Sequence, residues 1–145
     1  MAYCNTDVVA ASPQACFDAL TDFERLPDWQ GAVERVSVLE RDECGRGTVV
    51  EYEIDVKVKT VTYRLRQVYD EPVRLGSEYL GGDFKQFSGE WRFLARPDGA
   101  TDVELELDID PGRFVPGPVK VVIREFVMTR ALRDLKAHLE SKVAA

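Results

Sequence analysis

Histidine is almost absent from this chain, and so are the residue groupings that most enzymes and metal sites require. His138 is the only histidine in 145 residues. A Ser-His-Asp or Cys-His nucleophilic system would have to use it. It lies near the end of the last predicted helix, beside Leu139 and Glu140, where a solvated histidine favours the helix dipole. Cys4, Cys16 and Cys44 are odd in number and show no CxxC spacing, so neither a disulfide framework nor a zinc site is suggested. Positive charge is in short supply too: 19 Lys and Arg stand against 26 Asp and Glu, a net charge of −7. That balance argues against nucleic acid and against anionic membrane surfaces, since both are bound by basic residues. No apolar run approaches the roughly 20 residues that span a bilayer, so no stable membrane insertion is expected. The N-terminus lacks a basic region followed by an apolar stretch, and the expected location is cytoplasmic.

What is present is an ordinary globular composition, 45% apolar and 31% charged, enough for one domain spanning residues 1–145 with a substantial core. Tyr3 to Ala10 alternates weakly and reads as a first strand. Ser12 and Pro13 then give a helix start, with Ser as N-cap and Pro in the first position. A second short helix contains Phe23 and Leu26 and stops near Pro27, with Trp29 as an anchor for the two.

From Val33 to Asp110 the pattern is strand after strand. Val50, Tyr52, Ile54 and Val56 alternate with charged residues, and after a turn near Val58-Lys59 Val61, Tyr63 and Leu65 alternate with Thr62, Arg64 and Arg66. Period-2 alternation means one buried and one wet face, the mark of antiparallel sheet. A tight turn there would set Glu53 opposite Arg64 and Glu51 opposite Arg66. Phe87, Gly89, Trp91 and Phe93 share one face of a later strand, and Val103, Leu105, Leu107 and Ile109 one face of the last. Gly89 stands out, because glycine weakens a strand unless space or close approach is wanted. Pro118 to Val143 reads as one long amphipathic helix, a narrow apolar stripe in its second half and a broader one in its first.

A long antiparallel sheet with a single late helix for a partner curls around that helix, and aromatics with glycine on the facing surface leave a cavity between them. The order of elements and four strings resemble the helix-grip fold of the START and Bet v 1-like (SRPBCC) superfamily. The likeness is strongest to bacterial polyketide cyclase/dehydrase and coenzyme Q-binding-type proteins. The strings are Val8–Phe17 ("VVAASPQACF"), Leu20–Trp29 ("LTDFERLPDW"), Phe87–Phe93 ("FSGEWRF") and the final "ALRDLKAHLESKV". The resemblance covers essentially the whole chain. It implies an α+β fold: a curved seven-stranded antiparallel sheet around a long C-terminal helix, with two short N-terminal helices. It implies a pocket between sheet and helix, and no metal, no cofactor and no fixed catalytic residues.

The pocket is expected between the sheet and the first half of the last helix, lined by Tyr52, Ile54, Tyr63, Phe87, Trp91, Leu105, Val119, Ile123 and Val127. Phe114 stands at its mouth, on a loop rich in Pro and Gly. Inward polar candidates are Tyr52, Tyr63, Gln67 and Lys59, with no inward carboxylate or histidine. The expected partner is therefore a small hydrophobic molecule: a lipid, an isoprenoid quinone or an aromatic polyketide. An aromatase/cyclase acting in the same cavity is the alternative, and it would need interior groups that move protons. A pocket filled by its own side chains is the third reading.

Overall fold

The computed structural model describes residues 2–113 and 115–144. Strands β1 (Ala2–Val9), β2 (Val33–Arg41), β3 (Gly47–Asp55), β4 (Thr60–Asp70), β5 (Arg74–Gly82), β6 (Gln86–Ala95) and β7 (Thr101–Asp110) form one sheet. Its order is β1-β7-β6-β5-β4-β3-β2, and every pairing is antiparallel. This is a meander from β2 to β7 whose far edge is completed by β1. Register shifts in the β2–β3 and β4–β5 ladders add local bend to the sheet.

The expected seven-stranded sheet is therefore present, with one correction to its register. Glu51 lies opposite Arg64, and Val49 opposite Arg66. The cause is the position of the turn: it centres on Lys57-Val58, closed by the Val56 N–H donating to the Lys59 carbonyl at 3.1 Å, one residue earlier than expected, which moves the pairing by two positions. Asp55 Oδ1 accepts the Lys57 N–H at 2.6 Å and helps to shape that loop. Glu51 and Arg64 meet at 2.8 Å on the wet face, while Arg66 faces Glu78 at 3.6 Å.

Between β1 and β2 the chain forms α1 (Pro13–Thr21) and a 3₁₀ helix (Phe23–Asp28). Ser12 caps α1 by accepting the Ala15 N–H at 3.1 Å, with Pro13 in the first turn. The C-terminal helix runs over residues 117–144, about 42 Å at the usual rise per residue. It is continuous but not uniform. α2 (Gly117–Val122) and α3 (Thr129–Ala144) are joined by a π-helical turn, Ile123–Met128. There the Thr129 N–H reaches back to the Arg124 carbonyl, and the Thr129 hydroxyl donates to the same oxygen at 2.8 Å. The wider turn lets Ile123 and Met128, five positions apart, both bury. Leu132, Leu135 and Leu139 continue the buried stripe. Among the described residues no helix is long and apolar enough to cross a membrane.

Candidate functional site

The core is not uniform between sheet and helix. At one end Phe17, Phe93, Val103, Leu105, Leu132 and Leu135 pack together; at the other, Ile54, Val56, Phe84, Ile109, Ile123 and Met128 do. Between these clusters lies a cavity of about 130 Å³. A cavity of about 150 Å³ is large enough to hold benzene, so the space here is that of one ring.

Tyr52, Ile54, Tyr63, Phe87, Trp91, Leu105 and Val127 all line it, as the alternation of the strands and the phase of the helix predict. Val119 and Ile123 do not, and their assignment is corrected. Ile123, at 1% exposure, is packed with Met128, Tyr63, Phe84 and Phe87, and Val119 leans on the same cluster. The π turn is the physical reason, because it swings Ile123 into solid core and leaves Val127 and Ala131 as the helix's contribution to the cavity. The site thus lies against the middle of the helix rather than its first half. Phe114 falls outside the described residues. Lys59 is exposed on the β3–β4 loop and takes no part in the interior.

One whole wall has no counterpart in the sequence pattern. Leu20, Leu26, Gln30 and Ala32, from the segment between β1 and β2, close the cavity from the side. Polar contacts pin that wall to the helix. Gln30 Nε2 donates to the Ala131 carbonyl at 3.2 Å, and the Gly31 N–H donates to Asp134 at 2.9 Å. Trp29 stacks flat on His138, ring centroids 4.6 Å apart. The anchoring role expected of Trp29 is seen, but His138 is half-buried beneath it rather than solvated. A polar Gln in the short-helix region was the one available signal.

Strand pairing builds the aromatic wall. Tyr52 sits opposite Tyr63 in the β3–β4 ladder, and their rings stack at 5.3 Å; Phe87 also stacks on Tyr63, at 4.9 Å. Gly82, with φ +144°, allows the backbone of β5 to press on β4 behind Tyr63: a Cβ there would come 2.5 Å from Tyr63 Cα. Gly89 faces inward, where a Cβ would meet Leu107 Cδ2 at 2.9 Å. Its missing side chain serves close packing beside the cavity.

The polar inventory is small and uncharged. Gln67 Nε2 donates to the Tyr52 hydroxyl at 3.0 Å, and the Ser77 hydroxyl donates to the Gly89 carbonyl at 3.1 Å. Among the described residues the Tyr63 hydroxyl and the Trp91 indole N–H have no hydrogen-bond partner. Burial pushes both phenols far above the usual tyrosine range, with each second phenol nearby (Tyr63 for Tyr52, Tyr79 for Tyr63) adding to the effect. Both are therefore neutral hydrogen-bonding groups at any physiological pH. No charged residue lines the cavity among those described.

Elsewhere the chemistry is sparse. Among the described residues no three His, Cys, Asp or Glu side chains are grouped to hold a metal ion. The three cysteines are free thiols; burial pushes Cys16 up to about 11, which leaves it an inert core residue.

This geometry has well-populated company. A START superfamily protein from Mycobacterium smegmatis superposes with a TM-score of 0.84, at 22% identity over 97% of each chain. The Zhui aromatase/cyclase from Streptomyces sp. R1128 gives 0.76 at 20% identity, covering 99% of this chain and 95% of that one. The di-domain aromatase/cyclase StfQ of the steffimycin biosynthetic pathway gives 0.73 at 20% identity, covering 98% of this chain and 46% of the larger one. These likenesses establish the START-type helix-grip fold. No curated protein matches the chain in sequence. A family model does, over residues 9–140, nearly the whole length, and on that match the chain belongs to the polyketide cyclase/dehydrase and lipid transport family.

Proposed function

We propose that the protein binds a small, largely apolar molecule by taking one of its rings into the cavity between sheet and helix. The observation that carries this reading is the combination of a ring-sized space with unspent hydrogen-bond donors and no charge. The walls offer aromatic faces from Tyr52, Tyr63, Phe87 and Trp91, and the Tyr63 hydroxyl and Trp91 N–H are left for an oxygen acceptor on the ligand.

Burying a ring of about 150 Å² removes about 4 kcal/mol of unfavourable hydration, before ordering costs. A lone ring would therefore bind only in the millimolar range. A lipid, isoprenoid quinone or multi-ring polyketide needs more room than the cavity of about 130 Å³ offers, so only part of such a molecule would enter it.

The aromatase/cyclase reading draws support from the family's description and from the fold shared with Zhui. Against it stands the interior, which offers phenols and amides but no group that titrates near neutrality to move a proton.

The test is titration of the protein with acetophenone, a ring carrying one carbonyl oxygen, followed by NMR and Trp fluorescence, with native mass spectrometry of gently purified protein alongside. Millimolar acetophenone should shift the signals of Tyr63 and Trp91, and larger co-purified molecules should appear as discrete mass adducts. No response at saturating probe, with no adduct, would show the cavity to be packing space only.

A further inference from the structure

Lys57, Phe126 and Arg130 stand together just outside the cavity, each at or near a chain neighbour of a residue that lines it. Lys57 is on the loop that follows Ile54, Phe126 precedes Val127, and Arg130 precedes Ala131; Ile54, Val127 and Ala131 all line the cavity. Lys57 Nζ lies 3.8 Å from the centre of the Phe126 ring, and the Arg130 guanidinium carbon lies 5.1 Å from the same point. The guanidinium also packs on Gly31, where an added Cβ would sit 2.9 Å from Nη2. Gly31 precedes Ala32, another lining residue. The three side chains therefore bracket the place where the lining passes from β2–β3 to the helix.

Both cations are under-used there. Lys57 makes no ion pair with any described residue, and its backbone is left-handed, φ +75°, the one non-glycine residue so held among those described. That backbone is costly for a lysine. Arg130 Nε is buried without a hydrogen-bond partner among the described residues, and its approach to Asp134 is long, 3.6 Å. The nearby acids are already engaged: Asp55 by the Lys57 N–H, Asp134 by the Gly31 N–H and Glu34 by the Thr60 hydroxyl.

We propose that this seam is the mouth of the cavity, and that Lys57 and Arg130 hold an anionic group, a carboxylate or phosphate, of a ligand whose ring lies inside. The assignment rests on the ring-binding reading above. Both cations contact the one Phe126 ring and are at most 8.9 Å apart, the sum of their distances to its centre, so two long, flexible side chains can converge on one carboxylate or phosphate beside that ring. The ligand is then amphipathic: an apolar ring, a short connection, and a charged end in the water-exposed rim. An interior without charge and a rim with two available cations sort such a molecule end from end.

The experiment compares three probes by calorimetry at low salt: phenylpropionate, phenethyl phosphate and the neutral phenylpropanol. The two anions should bind about three- to tenfold more tightly than the alcohol, and high salt should erase the difference. Whichever anion gains more identifies the preferred source of charge. Lys57→Gln and Arg130→Gln should each cut the preference; Lys57→Gln, on an exposed loop, decides the matter if the other variant unfolds. Equal binding of all three probes, or a preference that survives Lys57→Gln, overturns the rim assignment and leaves the ring-binding cavity standing. Failure of all three to bind overturns the cavity reading and this inference with it.

Discussion

Gln67 gives its side-chain amide to the Tyr52 hydroxyl at 3.0 Å, across two neighbouring strands and inside an uncharged cavity. Gln67 is 7% exposed, so water does not readily replace this partner. Tyr52→Phe should leave the amide unpaired and cost about 1–3 kcal/mol of stability. Adding Gln67→Leu to that variant should restore part of the loss, because it removes the orphaned group. Urea unfolding of the two single variants and the double gives the coupling directly, and strictly additive losses would mean the bond carries no weight.

The two cavity phenols make the fold sensitive to alkali. Burial holds the Tyr52 and Tyr63 phenols well above the ordinary tyrosine value of about 10. The folded state thus retains protons that the unfolded chain gives up. The sign follows: their contribution is complete below pH 10 and is lost as pH rises beyond it. Tyrosinate absorbance should show Tyr52 and Tyr63 ionising only with unfolding. Replacing both with Phe should flatten the alkaline loss.

Much of this was legible in the sequence because it rests on period two. The alternation of Val50, Tyr52, Ile54 and Val56 against charged neighbours assigns each side chain to a face whatever the pairing partner. Seven cavity positions follow from that logic and from helical spacing. Three features resisted it. The β3–β4 register depends on where the turn is centred, and no local signal favours Lys57-Val58 over Val58-Lys59, since Lys57 takes its left-handed backbone without being glycine. The π turn adds a residue to one helical turn, and no spacing rule foresees that Ile123 and Met128 rather than Ile123 and Val127 will bury together. The wall of Leu20, Leu26, Gln30 and Ala32 is a tertiary arrangement of short helices, whose packing direction no local pattern fixes.

The π turn can be tested by contrasting two helix positions. Ile123 is solid core, so Ile123→Val should cost about 0.5–1.5 kcal/mol and leave acetophenone binding unchanged. Ala131 faces the cavity, so Ala131→Phe should place a ring in empty space, block the probe and leave thermal stability little altered. A helix without the extra residue would give the opposite outcome, with Ile123 controlling binding. Calorimetric titration and thermal melts on both variants distinguish the two.

The stack of His138 on Trp29 provides a pH reporter at the outer edge of the same wall. The rings lie 4.6 Å apart and 5° from parallel. Burial lowers the His138 pKa below the ordinary value of about 6.5, and Lys142, one turn further along the helix, lowers it again. Asp18, Asp22, Arg25 and Asp28 share the groove with it. With a depressed folded value, the neutral ring is the form the fold prefers. Its contribution is present above pH 6.5 and is lost as pH falls through the folded pKa. Trp fluorescence in a Trp91→Phe background isolates Trp29. It should change with a midpoint below 6.5, accompanied by a drop in stability over the same range, and His138→Gln should abolish both. A midpoint above 6.5 would mean that the three aspartates, rather than burial and Lys142, govern the ring, and that acid tightens this corner instead of loosening it.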